Sequence, residues 1–120
     1  MLMLEIKRPT KIQTFNDGVL SVHEITRTDD GGESLTVKHA LLRYEERTVG
    51  ISRYYSARQE NAEITMLLRV MRRDDISTQD IVVLHDGRQY TIRQVQYPRG
   101  IEPPCCDLSL ERVTHNYDVK

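Results

Sequence analysis

Residues 80–97 read Asp80-Ile81-Val82-Val83-Leu84-His85-Asp86-Gly87-Arg88-Gln89-Tyr90-Thr91-Ile92-Arg93-Gln94-Val95-Gln96-Tyr97, and this stretch decides the fold. A run rich in β-branched residues meets an Asp-Gly turn signal at Asp86-Gly87 and is followed by a second extended run, which is the pattern of an antiparallel hairpin. Working outward, residues 63–72 place Ile64, Met66, Leu68 and Val70 on one face of a strand, against Thr65, Leu67, Arg69 and Met71 on the other. Towards the C-terminus, Cys106, Leu108 and Leu110 alternate with Asp107, Ser109 and Glu111 in a closing strand, reached through a connection stiffened by Pro98, Pro103 and Pro104.

The N-terminal half repeats the pattern less cleanly. Residues 11–15 and 19–26 read as two strands joined by the turn signal Asn16-Asp17-Gly18, hence as a hairpin. Residues 28–34, Thr-Asp-Asp-Gly-Gly-Glu-Ser, form the plainest loop in the chain. After it Leu35, Val37, His39 and Leu41 are expected on the buried side of a strand, and Thr36, Lys38 and Ala40 on the other. From Tyr44 to Ala62 the alternation fails, and the segment reads as a long excursion with a short helix near residues 56–62. Six to seven short strands and at most one short helix predict a mainly β protein: a small antiparallel β-barrel or sandwich in a single domain spanning 1–120, with a long inserted loop at about 47–61 and a flexible tail at 115–120.

Composition narrows the function classes. The 120 residues carry 17 Lys and Arg against 18 Asp and Glu, so no broad basic field marks a nucleic-acid binder, and 38% hydrophobic with 29% charged residues suits a thin domain that gains stability by assembling with its own copies. No stretch approaches the roughly 18 apolar residues of a membrane span, and the N-terminus lacks the order of a signal peptide. The vicinal Cys105 and Cys106 close no useful loop; Cys106 is expected in the core and Cys105 at the rim or in solvent. His23, His39, His85 and His115 fall at no metal-ligand spacing, there is no nucleophile elbow or phosphate-cradling loop, and Asp74-Asp75 read as solvated turn residues beside Arg72 and Arg73. Neither a catalytic constellation nor a cofactor is expected. Arginines interleaved with Tyr44, Tyr54 and Tyr55 over residues 43–58 favour a protein interface over a solvated loop, with direct DNA contact third.

The motifs of the second half resemble those of the bacteriophage head-tail joining family, the head-closure or stopper proteins. The carriers are the turn Arg72-Arg73-Asp74-Asp75-Ile76, the hairpin Asp86-Gly87-Arg88-Gln89-Tyr90-Thr91-Ile92, the last strand Leu108-Ser109-Leu110-Glu111-Arg112-Val113, and upstream Tyr54-Tyr55-Ser56-Ala57. The match covers about the last seventy residues; the first half agrees only in strand order. Its motif residues Asp75, Ile76, Asp86, Gly87, Tyr90, Ile92, Leu108 and Leu110 are structural.

The resemblance implies a virion protein of the phage neck, assembled in the host cytoplasm. It would form a ring of six or twelve copies below the portal and adaptor proteins, retain packaged double-stranded DNA, and dock the tail-terminator or tail-tube proteins. It also implies a channel-facing loop, in the position of Arg47, Thr48, Val49, Gly50, Ile51, Ser52, Arg53, Tyr54 and Tyr55 here. Two other readings are compatible with the strand pattern: an adaptor or tail-terminator subunit of the same neck, and a non-viral OB- or SH3-like barrel binding a ligand or RNA.

Overall fold

In the computed structural model, residues 11–48 and 64–119 are described. They form nine strands: β1 (Lys11–Ile12), β2 (Gly18–Arg27), β3 (Glu33–Arg47), β4 (Met66–Met71), β5 (Asp80–Leu84), β6 (Gln89–Gln96), β7 (Ile101–Glu102), β8 (Cys105–Arg112) and β9 (Asp118–Val119). Among the described residues there is no helix. Neighbours run β2-β5-β6-β8-β4-β3, and β3 returns to pair with β2, so six antiparallel strands close on themselves. Closure removes most of the exposed edges on which a small sheet would aggregate. The mainly β expectation holds, in its barrel form.

The barrel is filled by one apolar cluster in which Leu20 and Val22 of β2, Leu42 and Tyr44 of β3, Leu68 and Val70 of β4, Val82 and Leu84 of β5, Tyr90 and Ile92 of β6, and Cys106, Leu108 and Leu110 of β8 face one another. Burying a side chain of this size contributes about 1.5–3 kcal/mol, so a barrel that opened would lose its main source of stability. Ile76, from the turn after β4, plugs the same cluster. The β5–β6 hairpin forms as read: Gly87 has φ +90°, its N–H donates to the Leu84 carbonyl, and the Asp86 carboxylate accepts from the Arg88 backbone.

Several expectations for the first half are overturned. Residues 11–15 make no hairpin with β2; Lys11–Ile12 instead pairs in parallel with Ile101–Glu102. The Asn16-Asp17-Gly18 signal does not reverse the chain but fastens it to the end of β3: Asp17 N–H donates to the Tyr44 carbonyl and the Asp17 carboxylate accepts from Glu46 N–H. Gly18 is needed there because the Tyr44 ring crosses it, and an added Cβ would stand 2.6 Å from the phenol oxygen.

In β3 the expected buried face also fails. Leu35 is buried, but Val37 and Leu41 are exposed and Leu42 and Tyr44 point inward. The pairing with β2 slips twice, between Leu20 and Val22 and between Val22 and His23, and Leu41 sits at φ +58°. Each slip is a bulge that adds a residue to β3 and re-aims the side chains beyond it. The excursion expected from Tyr44 therefore starts later, because β3 runs on to Arg47. The helix expected at 56–62 lies outside the described residues. At the other end of the chain, the segment read as a loose tail carries β9, paired in parallel with Ser34 and Leu35, and exchanges hydrogen bonds between the Tyr117 backbone and the Gln89 side chain.

Candidate functional site

β3 and β4 are adjacent antiparallel strands whose ladder runs from Tyr44–Val70 to Arg47–Leu67. A two-residue turn would suffice to join them. The chain spends residues 48–65 on the connection instead, and connections far longer than geometry requires are where small domains place function. Of the residues expected to line a channel, Arg47 closes β3 and Thr48 follows it; Val49, Gly50, Ile51, Ser52, Arg53, Tyr54 and Tyr55 lie outside the described residues.

The root of this connection is fixed from both sides. On the departing limb Arg47 Nη1 donates to the Glu45 carboxylate at 2.7 Å. On the returning limb the backbone N–H and the hydroxyl of Thr65 both donate to the Leu110 carbonyl, at 2.9 and 3.3 Å. Asp17, Glu46, Arg47, Thr48, Thr65 and Met66 line a shallow polar concavity at this end of the barrel.

Behind the root, the outer face of β4 and β8 is also buried. Arg69 is 5% and Asp107 7% exposed. Their side chains form a two-pronged ion pair, Nε to Oδ1 at 2.7 Å and Nη2 to Oδ2 at 2.9 Å, while Arg69 Nη1 donates to Gln13 Oε1 at 3.0 Å. The Asp107 hydrogen bonds push the Arg69 guanidinium further up from its ordinary value. The Gln13 amide and then the Arg47 guanidinium hold the Glu45 carboxyl below its usual range. Sequence alternation placed Arg69 and Asp107 on an outward face, correctly, but gave no sign that this face would be covered.

Cys105 shares the covered face at 1% exposure, which corrects the expectation of a rim or solvent position. The turn between β7 and β8 folds back on it, the Cys105 thiol donating to the Pro103 carbonyl, and Gln13 N–H is tied to the Glu102 carbonyl at the same turn. Burial pushes both the Cys105 and the Cys106 thiols up, so neither is a ready thiolate at neutral pH.

The remaining motif residues fall into place as packing and turn elements. Asp86 pairs with Arg88 in the hairpin turn beside Gly87, and Ile76, Tyr90, Ile92, Leu108 and Leu110 are buried. Asp75 is exposed and accepts a 2.7 Å hydrogen bond from His39, which draws its carboxyl down, while Asp74 pairs with Arg72. A second covered ion pair was not foreseen: Lys38 Nζ reaches both oxygens of the buried Asp80 at 3.0 Å and the Asp75 carbonyl at 2.8 Å, joining the bulged part of β3 to the turn after β4.

One pair has the contact of a nucleophile and its base: Ser21 Oγ lies 2.9 Å from His23 Nε2. His23 Nδ1, however, is buried without a partner, so the orienting acid of such a site is missing, and burial lowers the His23 pKa. Among the described residues no three His, Cys, Asp or Glu side chains are grouped to hold a metal ion.

No family model matches the chain, and no curated protein matches it. Among solved structures, the solution structure of protein SF1141 from Shigella flexneri 2a is similar, with a TM-score of 0.60 over 85% of this chain and 96% of that one, at 15% identity. At that identity the likeness is one of fold.

Proposed function

We propose that this protein is a structural subunit of a bacteriophage neck, which assembles with its own copies into a ring beneath the portal and adaptor, closes the DNA-filled head and offers a docking surface to the tail. The observation that carries the reading is the connection 48–65, inserted between two strands that already pair at Arg47–Leu67, in a closed barrel whose second half carries sequence motifs that resemble those of the head-closure family. A rigid barrel with one long segment rooted at one end suits a subunit that packs sideways with its wall and closes a channel with its loop.

The test is to add the purified protein to DNA-filled capsids that carry portal and adaptor, and to image the portal vertex. A symmetric ring there, with DNA retained and tails attaching, is the expected result; a protein that stays monomeric and ignores such capsids overturns the reading. In the same preparation, a variant lacking residues 49–63 should still join the ring and let DNA escape.

A further inference from the structure

Residues 113–119, the last described segment, are held to the barrel by their backbone. Tyr117 N–H donates to Gln89 Oε1 at 2.8 Å and Gln89 Nε2 donates to the Tyr117 carbonyl at 2.9 Å, so the amide of one buried side chain stands in for a paired strand. Val113 N–H donates to the Gln89 carbonyl at 3.2 Å. Beyond it β9 lies parallel to the start of β3, with Asp118 beside Ser34 and Val119 beside Leu35.

Side chains of the segment add little to this seat. None of residues 113–119 is buried, Val119 is 52% exposed, and none belongs to the apolar cluster that fills the barrel. Beside Asp118, Ser34 Oγ is buried without a hydrogen-bond partner, a cost that weakens the docked state. A segment held by a few backbone bonds at the surface opens far more readily than a closed barrel, and the exposed residues 114–116 give it a link of its own.

Backbone bonds do not distinguish one copy of the chain from another. The seat, made of Gln89, Ser34 and Leu35, and the segment that fills it are separate surfaces of one molecule. A segment that passes to a neighbour makes the same contacts there, and the neighbour's own segment passes onward.

We propose that residues 113–119 are an exchangeable arm: within the ring, β9 of each subunit leaves its own barrel and completes the sheet edge at Ser34 and Leu35 of the next. The occupant of the seat is the β9 of a second copy, whose fit is displayed by the contacts made within the chain. The inference rests on the reading that copies assemble into a ring. It makes the contact between subunits heterologous, joining two different surfaces, which is the kind of contact that builds rings.

Two single variants of the full chain, Ser34→Cys and Asp118→Cys, place one thiol each on facing partners, while both native cysteines are buried. Mixed at high concentration, and separately on capsids carrying portal and adaptor, then mildly oxidised, they should give a covalent one-to-one dimer whose link joins positions 34 and 118 by mass spectrometry. The double variant should give covalent multimers. Gln89→Leu in the Ser34→Cys copy removes both Tyr117 bonds and should cut the link roughly tenfold.

A double variant that links only within its own chain while a ring stands on the capsids overturns the arm and leaves the neck. A link between copies in a protein that ignores capsids keeps the exchange and removes the neck. Dimers closed by two reciprocal links overturn the head-to-tail form, and a link indifferent to Gln89→Leu reports collision and overturns the seat.

Discussion

The two faces of β4 and β8 are both buried, for opposite reasons. The inner face presents Leu68, Val70, Cys106, Leu108 and Leu110 to the core, where closure of six strands removes them from water. The outer face carries Arg69, Asp107, Ser109, Cys105 and Leu67, and is covered although it is the polar side of the alternation. Apolar burial is non-directional, whereas a covered ion pair demands that nearly every hydrogen bond be made. The inner face therefore holds the barrel together, and the outer face records where one particular segment must sit.

The contrast is broken most severely from the polar side. Asp107→Ala leaves the Arg69 guanidinium covered without its carboxylate, a change expected to cost about 3–5 kcal/mol, measured as a drop in the urea midpoint. Replacing the pair together, Arg69→Met with Asp107→Leu, should recover most of that loss while releasing Gln13 from Arg69; a double variant as unstable as Asp107→Ala would show that the pair itself holds the fold. On the inner face Leu108→Ala should cost about 2–5 kcal/mol through lost burial and the cavity left behind, with the Gln13 N–H to Glu102 hydrogen bond intact by hydrogen exchange.

A smaller effect sharpens the comparison through pH. His23 is buried with Nδ1 unpartnered, and its pKa is lowered from the ordinary 6.5. The unfolded chain then binds the proton more readily than the folded one, so the contribution of neutral His23 is fully present above about pH 6.5 and is lost as pH falls below it towards the folded value. Stability against pH should be flatter between pH 6.5 and 5 in His23→Gln than in the parent, and identical slopes would remove His23 from the account. The smallest effect belongs to the exposed turn pair: Asp86→Asn should leave the urea midpoint unmoved, since Arg88 meets it in open water.

How much of this was legible depends on the range of the interactions. The hairpin around Asp86-Gly87 was readable because every determinant lies within a dozen residues: β-branched runs, a glycine at positive φ, and a turn carboxylate. The inward set of β4 and β8 was readable for the same reason, since alternation on a regular strand fixes the face. Residues 35–41 misled because two bulges shift the register, and nothing in Thr36 to Leu41 announces that Leu41 will take φ +58°. At the candidate site, Arg47 and the length of the connection after it could be seen, but Gln13 could not, because its partners Arg69 and Glu102 come from two distant parts of the chain.

By itself the sequence determined a β protein with a local hairpin at residues 80–97, an alternating closing strand and one long interruption after β3, because hydrophobic period and turn chemistry act over a few residues. Only the tertiary structure decided that β2, beyond its local hairpin with β3, pairs with the distant β5 and so closes a barrel, that the Asn16-Asp17-Gly18 segment fastens the end of β3 where a turn had been expected, and that Arg69, Cys105 and Asp107 are covered. Those outcomes depend on which segments lie over one another after closure, and burial of an outward face is set by what crosses it, which alternation along a single strand does not encode.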